Sequence, residues 1–178
     1  MTSEDFAKIF HSNFTLNTDW VNIDEITWIY QQDLIKLSSK IIAKHNQFEK
    51  RLSEAADSKE TFLIEGESLV HLVLKMFVVD YLINCLGVSQ VDIKYEHPLS
   101  GFEVDVIDKD LQFPVECGDT NALKLEKYLA LPSTKKMLIV PYPRLGDVKV
   151  FEFCANNRFF EYIKHKETFL KNKRLKYR

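Results

Sequence analysis

The strongest constraint on the fold of this chain is a change of hydrophobic period at Gly87. Across residues 60–86 the apolar side chains almost surround a helical axis, and beyond Gly87 three short runs alternate with a period of two. A helix that is apolar on nearly every side has to be buried by other elements. The runs 91–95, 102–106 and 113–117, each bounded by turn-forming residues, are the layer that buries it. The exceptions on this helix are Glu67, His71 and Lys75, which stand four apart and form one polar stripe.

Downstream, Thr120 or Asp119 is expected to cap a helix over 121–131 that Pro132 ends. Residues 137–140 are a continuous apolar run, as in a buried strand, and 148–153 alternate again. The order helix, three strands, helix, strand predicts an α/β (α+β) core over 58–155, flanked by an N-terminal helical extension, 1–57, and a basic C-terminal helix or tail, 156–178. In the extension, Asp24 would cap a long helix running to residue 56, because Ile26, Tyr30, Leu34, Leu37, Ile41, Phe48 and Leu52 recur at helical spacings. Such a stripe either packs on its own domain or, as a near-heptad seam, forms a homodimer contact.

Charge is unevenly placed. Residues 158–178 hold eight Lys and Arg against two Glu, which leaves −8 on the rest of a chain whose net charge is −2. A basic tail on an acidic body suits a polyanionic partner. Lys164, Lys166, Lys171, Lys173, Arg174, Lys176 and Arg178, interleaved with Tyr162, Phe169 and Tyr177, would neutralise phosphates and stack bases, although a solvated terminal helix has the same pattern.

Several classes drop out. The first residues, MTSEDFAKIF, lack the basic start and apolar stretch of a signal peptide. The most apolar segment, 69–86, is interrupted by His71, Lys75, Asp80 and Asn84, which does not suit a span in lipid. A soluble, intracellular, cytoplasmic protein with no membrane partner is expected. Cys85, Cys117 and Cys154 form no CxxC pair and read as small buried hydrophobes. No glycine pattern for a P-loop or a dinucleotide site is present, and no His lies in sequence beside Cys117 to make it a nucleophile.

A hairpin turning through 109–112 places Asp105 opposite Glu116, with Cβ atoms about 4.5–5.5 Å apart. In that register Phe102, Val104, Val106, Phe113, Val115 and Cys117 share one face, and Glu103, Asp105, Glu116 and Gly118 share the other. Two carboxylates so close either face water on a solvated sheet face or need a bridging cation or a proton, and hard oxygen ligands suit Mg²⁺ or Mn²⁺. Glu67, on a mostly apolar helix, would complete a three-carboxylate cluster, with Glu65 as a weaker candidate for the same place.

The helix with Glu67, the strand with Asp105, and the strand ending Val115-Glu116-Cys117-Gly118 before the next helix and strand resemble the PD-(D/E)xK nuclease superfamily. The resemblance covers about residues 60–153. It implies a restriction-endonuclease-like αβββαβ core. Asp105 and Glu116 would be metal ligands, Cys117 would lend its backbone carbonyl, and Glu67 would be the helix acid. It also implies phosphodiester hydrolysis of nucleic acid, DNA first. The sequence departs from the pattern at Gly118, where that superfamily normally has a Lys. Lys124 and Lys127 on the following helix are the replacements on offer, since the superfamily lets this lysine migrate there. The alternative is a nuclease-like fold without catalysis, serving as a nucleic-acid-binding or assembly module.

Overall fold

A computed structural model describes residues 1–10, 23–57, 68–143 and 146–176, with side chains as far as residue 172. Glu65 and Glu67 lie outside the described residues, as does Arg178. The side chains of Lys173, Arg174 and Lys176 lie outside them as well.

The elements in chain order are α1 (Ser3–Phe6), α2 (Ile23–Gln31), β1 (Ile35–Ala43), α3 (His45–Asp57), α4 (Leu69–Leu86), β2 (Ile93–Leu99), β3 (Phe102–Asp108), β4 (Val115–Cys117), α5 (Ala122–Leu129), β5 (Met137–Val140), β6 (Val148–Ala155) and α6 (Asn157–Lys176). Among the described residues the strands make one mixed six-stranded sheet in the order β1-β6-β5-β4-β3-β2. Neighbours run antiparallel except β4 and β5, which are parallel and joined by the α5 crossover.

The alternation along the strands fills two apolar layers. On one side Met137, Ile139, Phe153 and Ile107 meet Phe6, Phe10, Ile26 and Ile29 of the N-terminal segment, Leu125 and Tyr128 of α5, and Phe159 and Ile163 of α6. On the other, Val106, Val115, Leu138, Val140 and Val150 meet Val73, Leu74, Val78 and Leu82 of α4 and Phe48 of α3. By length and composition α4 could cross a membrane, but here it is a core helix, about a third buried and packed on the sheet. Ser68 starts it by accepting from the His71 N–H at 3.2 Å, and Gly87 ends it at φ +72°, a left-handed value that glycine adopts without cost.

The single helix expected over 24–56 is not formed. α2 stops at Gln31, Asp33 turns the chain at φ +54°, and Ile35–Ala43 becomes an edge strand paired with β6 from Ile35↔Ala155 to Ala43↔Val148. The segment has two Ser, three β-branched Ile and a partner strand, and that pairing outweighs a spacing that also fits a helix. The proposed dimer seam is therefore divided among three elements. Ile26, Leu34 and Phe48 are buried in the cores, while Ile41 is 49% exposed. The N-terminal segment is accordingly not a helical extension but supplies a strand and much of one core layer.

Smaller differences follow the same logic. Residues 90–92 form a 3₁₀ turn with Val91 exposed, and the strand begins at Ile93. Asn121, not Thr120 or Asp119, caps α5 by accepting from the Leu123 N–H at 2.9 Å, and Thr120 is buried in a bridge to Phe10. Val104 and Phe102 pack into the α5 layer, away from Val106, so the six-residue face expected on the hairpin is split. Of the cysteines only Cys117 is buried; Cys154 is half-buried and Cys85 exposed.

The basic helix α6 forms, yet its lysines are not equivalent. Lys164 and Lys171 are exposed, whereas Lys166 is drawn inward to Glu25 and Glu126, 2.6 Å from each. Lys166 is thus committed to holding α6 against α2 and α5, which removes it from the expected phosphate-binding set. Glu126 is buried, and removing one member of a buried ionic cluster leaves the others unpaired. Replacing Lys166 by Ala is expected to lower unfolding free energy by about 3 kcal/mol, measured by urea denaturation. Lys164→Ala, on the exposed face, should change it little.

Candidate metal centre at the ends of β3 and β4

The hairpin register is fixed by an acid. Asp108 accepts from the Gln112 and Phe113 N–H groups through Oδ1, at 2.8 and 2.7 Å, and from the Asp110 N–H through Oδ2 at 3.2 Å. That closure sets Val106 opposite Val115 and carries Asp105 to the side of Glu116. Asp105 Oδ2 then accepts the Cys117 N–H at 2.6 Å. The Cys117 thiol sits in the α4-side core, where burial pushes its pKa well above the ordinary value and leaves it inert.

Glu116 is the most perturbed carboxylate. Its Oε2 accepts from Lys124 Nζ at 2.6 Å, and that ammonium also donates to the Glu103 carbonyl at 2.9 Å. Its Oε1 is buried with no hydrogen-bond partner among the described residues. Burial, and then the charge of Asp105, pushes the Glu116 carboxyl from 4.5 up to about 7, against the pull of Lys124. Lys127 lies in the last turn of α5, half-buried, so Lys124 is the helix lysine that meets Glu116.

The glycine at 118 has a packing cause. Its φ is +78°, and a Cβ there would lie 2.4–2.7 Å from the hydroxyl end of the Tyr142 ring. A side chain there would strain the backbone and have to push the Tyr142 ring aside. Tyr142 fills the place where the motif lysine would start, and Lys124 brings an ammonium to Glu116 from the helix.

Two further groups join Asp105. His71 Nε2, projecting from α4, is 3.4 Å from Asp105 Oδ1, and its Nδ1 is 3.4 Å from the Tyr142 hydroxyl. Glu96 stands between His97 and Tyr95, which pair with Val104 and Val106, and so lies across from Asp105. His71, Glu96 and Asp105 each offer one ligand atom within 4.8 Å of the other two. Lys75, buried one turn along α4 from His71, is in close ion contact with Glu96, whose pKa burial raises and Lys75 lowers.

Glu96 carries no role in the sequence reading, although a signal for it exists. Ser100-Gly101, at φ +51° and +83°, is a two-residue hairpin turn, and counting back from it sets residue 96 against residue 105. The donor set suits a divalent cation. His71, Glu96 and Asp105 bring together two carboxylates, whose mutual repulsion a cation would relieve, and one imidazole; Glu116, with its orphan oxygen, stands beside Asp105 but outside that group of three. Comparison with protein-family models, with curated proteins and with solved structures gave no match.

An acid whose pKa is raised on folding binds more protons folded than unfolded between the two pKa values, so stability falls as pH rises through that window. For Glu116 the window runs from 4.5 to about 7. The cost above it is about 3 kcal/mol. Glu116→Gln is expected to be the more stable protein at pH 8 in EDTA and to match wild type near pH 4.5, as read by melting temperature. Mn²⁺ should raise the melting temperature of wild type and not of the variant.

Proposed function

We propose that this chain is a divalent-metal-dependent nuclease of the PD-(D/E)xK kind, hydrolysing phosphodiester bonds of nucleic acid, DNA first. The observation that carries the reading is the contact of Lys124 with Glu116 Oε2, because it supplies the lysine that Gly118 lacks. The run α4-β2-β3-β4-α5-β5, with β4 and β5 parallel, supports it by matching the αβββαβ order that the resemblance implies.

Asp105 and Glu116 would hold the ion, Mg²⁺ or Mn²⁺, together with the Cys117 carbonyl, and His71 and Glu96 stand ready beside Asp105. When bound, the ion polarises a phosphoryl oxygen and lowers the pKa of a water. The protein does the rest. Lys124, held by the Glu103 carbonyl and Glu116, keeps a positive charge beside the acids to orient the attacking water and offset charge developing on the phosphate. The Cys117 N–H fixes the Asp105 carboxylate, so that it need not reorganise during reaction. An imidazole in the set favours Mn²⁺ over Mg²⁺, which prefers oxygen ligands.

The test is to incubate wild type with single-stranded and duplex DNA and with RNA, in Mn²⁺ or Mg²⁺, beside Asp105→Ala and Lys124→Ala. Cleavage should be faster in Mn²⁺, vanish in EDTA, and fall at least about a hundredfold in each variant. Equal cleavage by wild type and variants, or none by any, would sink the enzymatic reading. Binding without cleavage would leave the nucleic-acid-binding or assembly module, the reading that a glycine at 118 favours.

A further inference from the structure

Beside the metal centre, on the far side of Tyr142, lies a cavity of about 220 Å³. Tyr142, Phe151 and Pro143 give it apolar walls, and Lys149 and Lys8, the latter with its ammonium 3.6 Å from Asp5 Oδ1, line it as well. Asp147 also lines it, with its carboxylate taken up by Lys44 Nζ and the His45 N–H, at 3.0 Å each. Pockets for drug-sized molecules run to about 300–1,000 Å³, so this one suits a fragment the size of a single nucleobase.

The cavity and the metal centre share one side chain. The hydroxyl end of Tyr142 lies over Gly118 and faces His71, and its ring, 38% exposed, lines the cavity. Whatever stacks on that ring is linked to Asp105 through the Tyr142 hydroxyl and His71.

We propose that this cavity is a nucleotide subsite for single-stranded nucleic acid. An unstacked base lies against Tyr142, and its phosphate is drawn to Lys149 and Lys8. Stacking on an aromatic platform needs a free base face, which a base inside an intact duplex does not offer. Stacking on Tyr142 is open to any base, since every base has a π-face, so the subsite reads the presence of a free base rather than its identity. That the adjacent phosphodiester is the one cut rests on the nuclease reading; binding of the base does not.

The experiment separates the two. Fluorescence anisotropy with a short labelled oligothymidylate, an oligouridylate and a duplex of equal length, all in EDTA, reads binding without cleavage. Tyr142→Ala is expected to weaken single-strand binding about tenfold and to leave duplex binding unchanged, while Tyr142→Phe keeps the wild-type preference. Lys149→Gln, at an exposed strand position, should weaken single-strand binding and reduce its salt dependence by about one phosphate contact. This second arm stands if Tyr142→Ala fails to fold. No loss, an equal loss on duplex, or a loss in Tyr142→Phe as large as in Tyr142→Ala would overturn the subsite. Intact single-strand preference in a wild-type protein that never cuts would sink the enzyme instead.

Discussion

Two carboxylates at the ends of adjacent strands repel each other, and much of the chain around Asp105 and Glu116 manages that repulsion. The Asp108 turn forces the pair together, the Cys117 N–H holds one acid, and Lys124 holds the other. The management is incomplete. Glu116 keeps an oxygen without a donor, and its carboxyl stays half-protonated near neutrality. A protein that only needed a stable hairpin would gain by replacing both Glu116 and Lys124 with apolar residues. That unrelieved charge is what a bound cation would offset.

The sheet delivers the parts from three directions. His71 and Lys75 come from α4 on one face, Lys124 comes from α5 on the other, and the acids come from β2, β3 and β4 between them. Because β4 and β5 are parallel, the chain must cross over between them, and α5 makes that crossing. The carboxylate and its lysine thus belong to one strand-crossover unit, eight residues apart, so their meeting follows from local geometry. The buried acid on β6 shows the contrast. Glu152 on β6 is satisfied by Tyr81, Ser38 and Lys136, at 2.5, 3.0 and 3.1 Å.

What could be read from the sequence was what short-range periodicity encodes. The run from Val115 to Cys117, the turn before it and the helix after it need only alternation, turn chemistry and a cap, and these placed Asp105 by Glu116 and Lys124 within reach. Residues 35–43 misled because their apolar spacing fits a helix. What makes them a strand is β6, more than a hundred residues away, and no local pattern carries that information. Glu96 was missed through stopping a strand too early, and the glycine at 118 could not be explained without Tyr142. Lys166 looked like part of a basic tail because its partners, Glu25 and Glu126, lie far off in sequence.

The pairing of β1 with β6 has a kinetic side. Among the described residues, the strand that begins at Ile35 has one neighbour in the sheet, at residues 148–155. As the chain is synthesised, β1 must wait with its backbone groups unpaired until residues 148–155 have been made. Contacts of such high sequence separation pay their loop-closure entropy late and slow the folding of the whole domain. The α4-to-β5 segment can pair its own strands earlier, so the acids and their lysine can come together before the edge of the sheet is closed. Until then, an unpaired strand carrying Ile35, Leu37, Ile41 and Ile42 is a place where chains can misassociate.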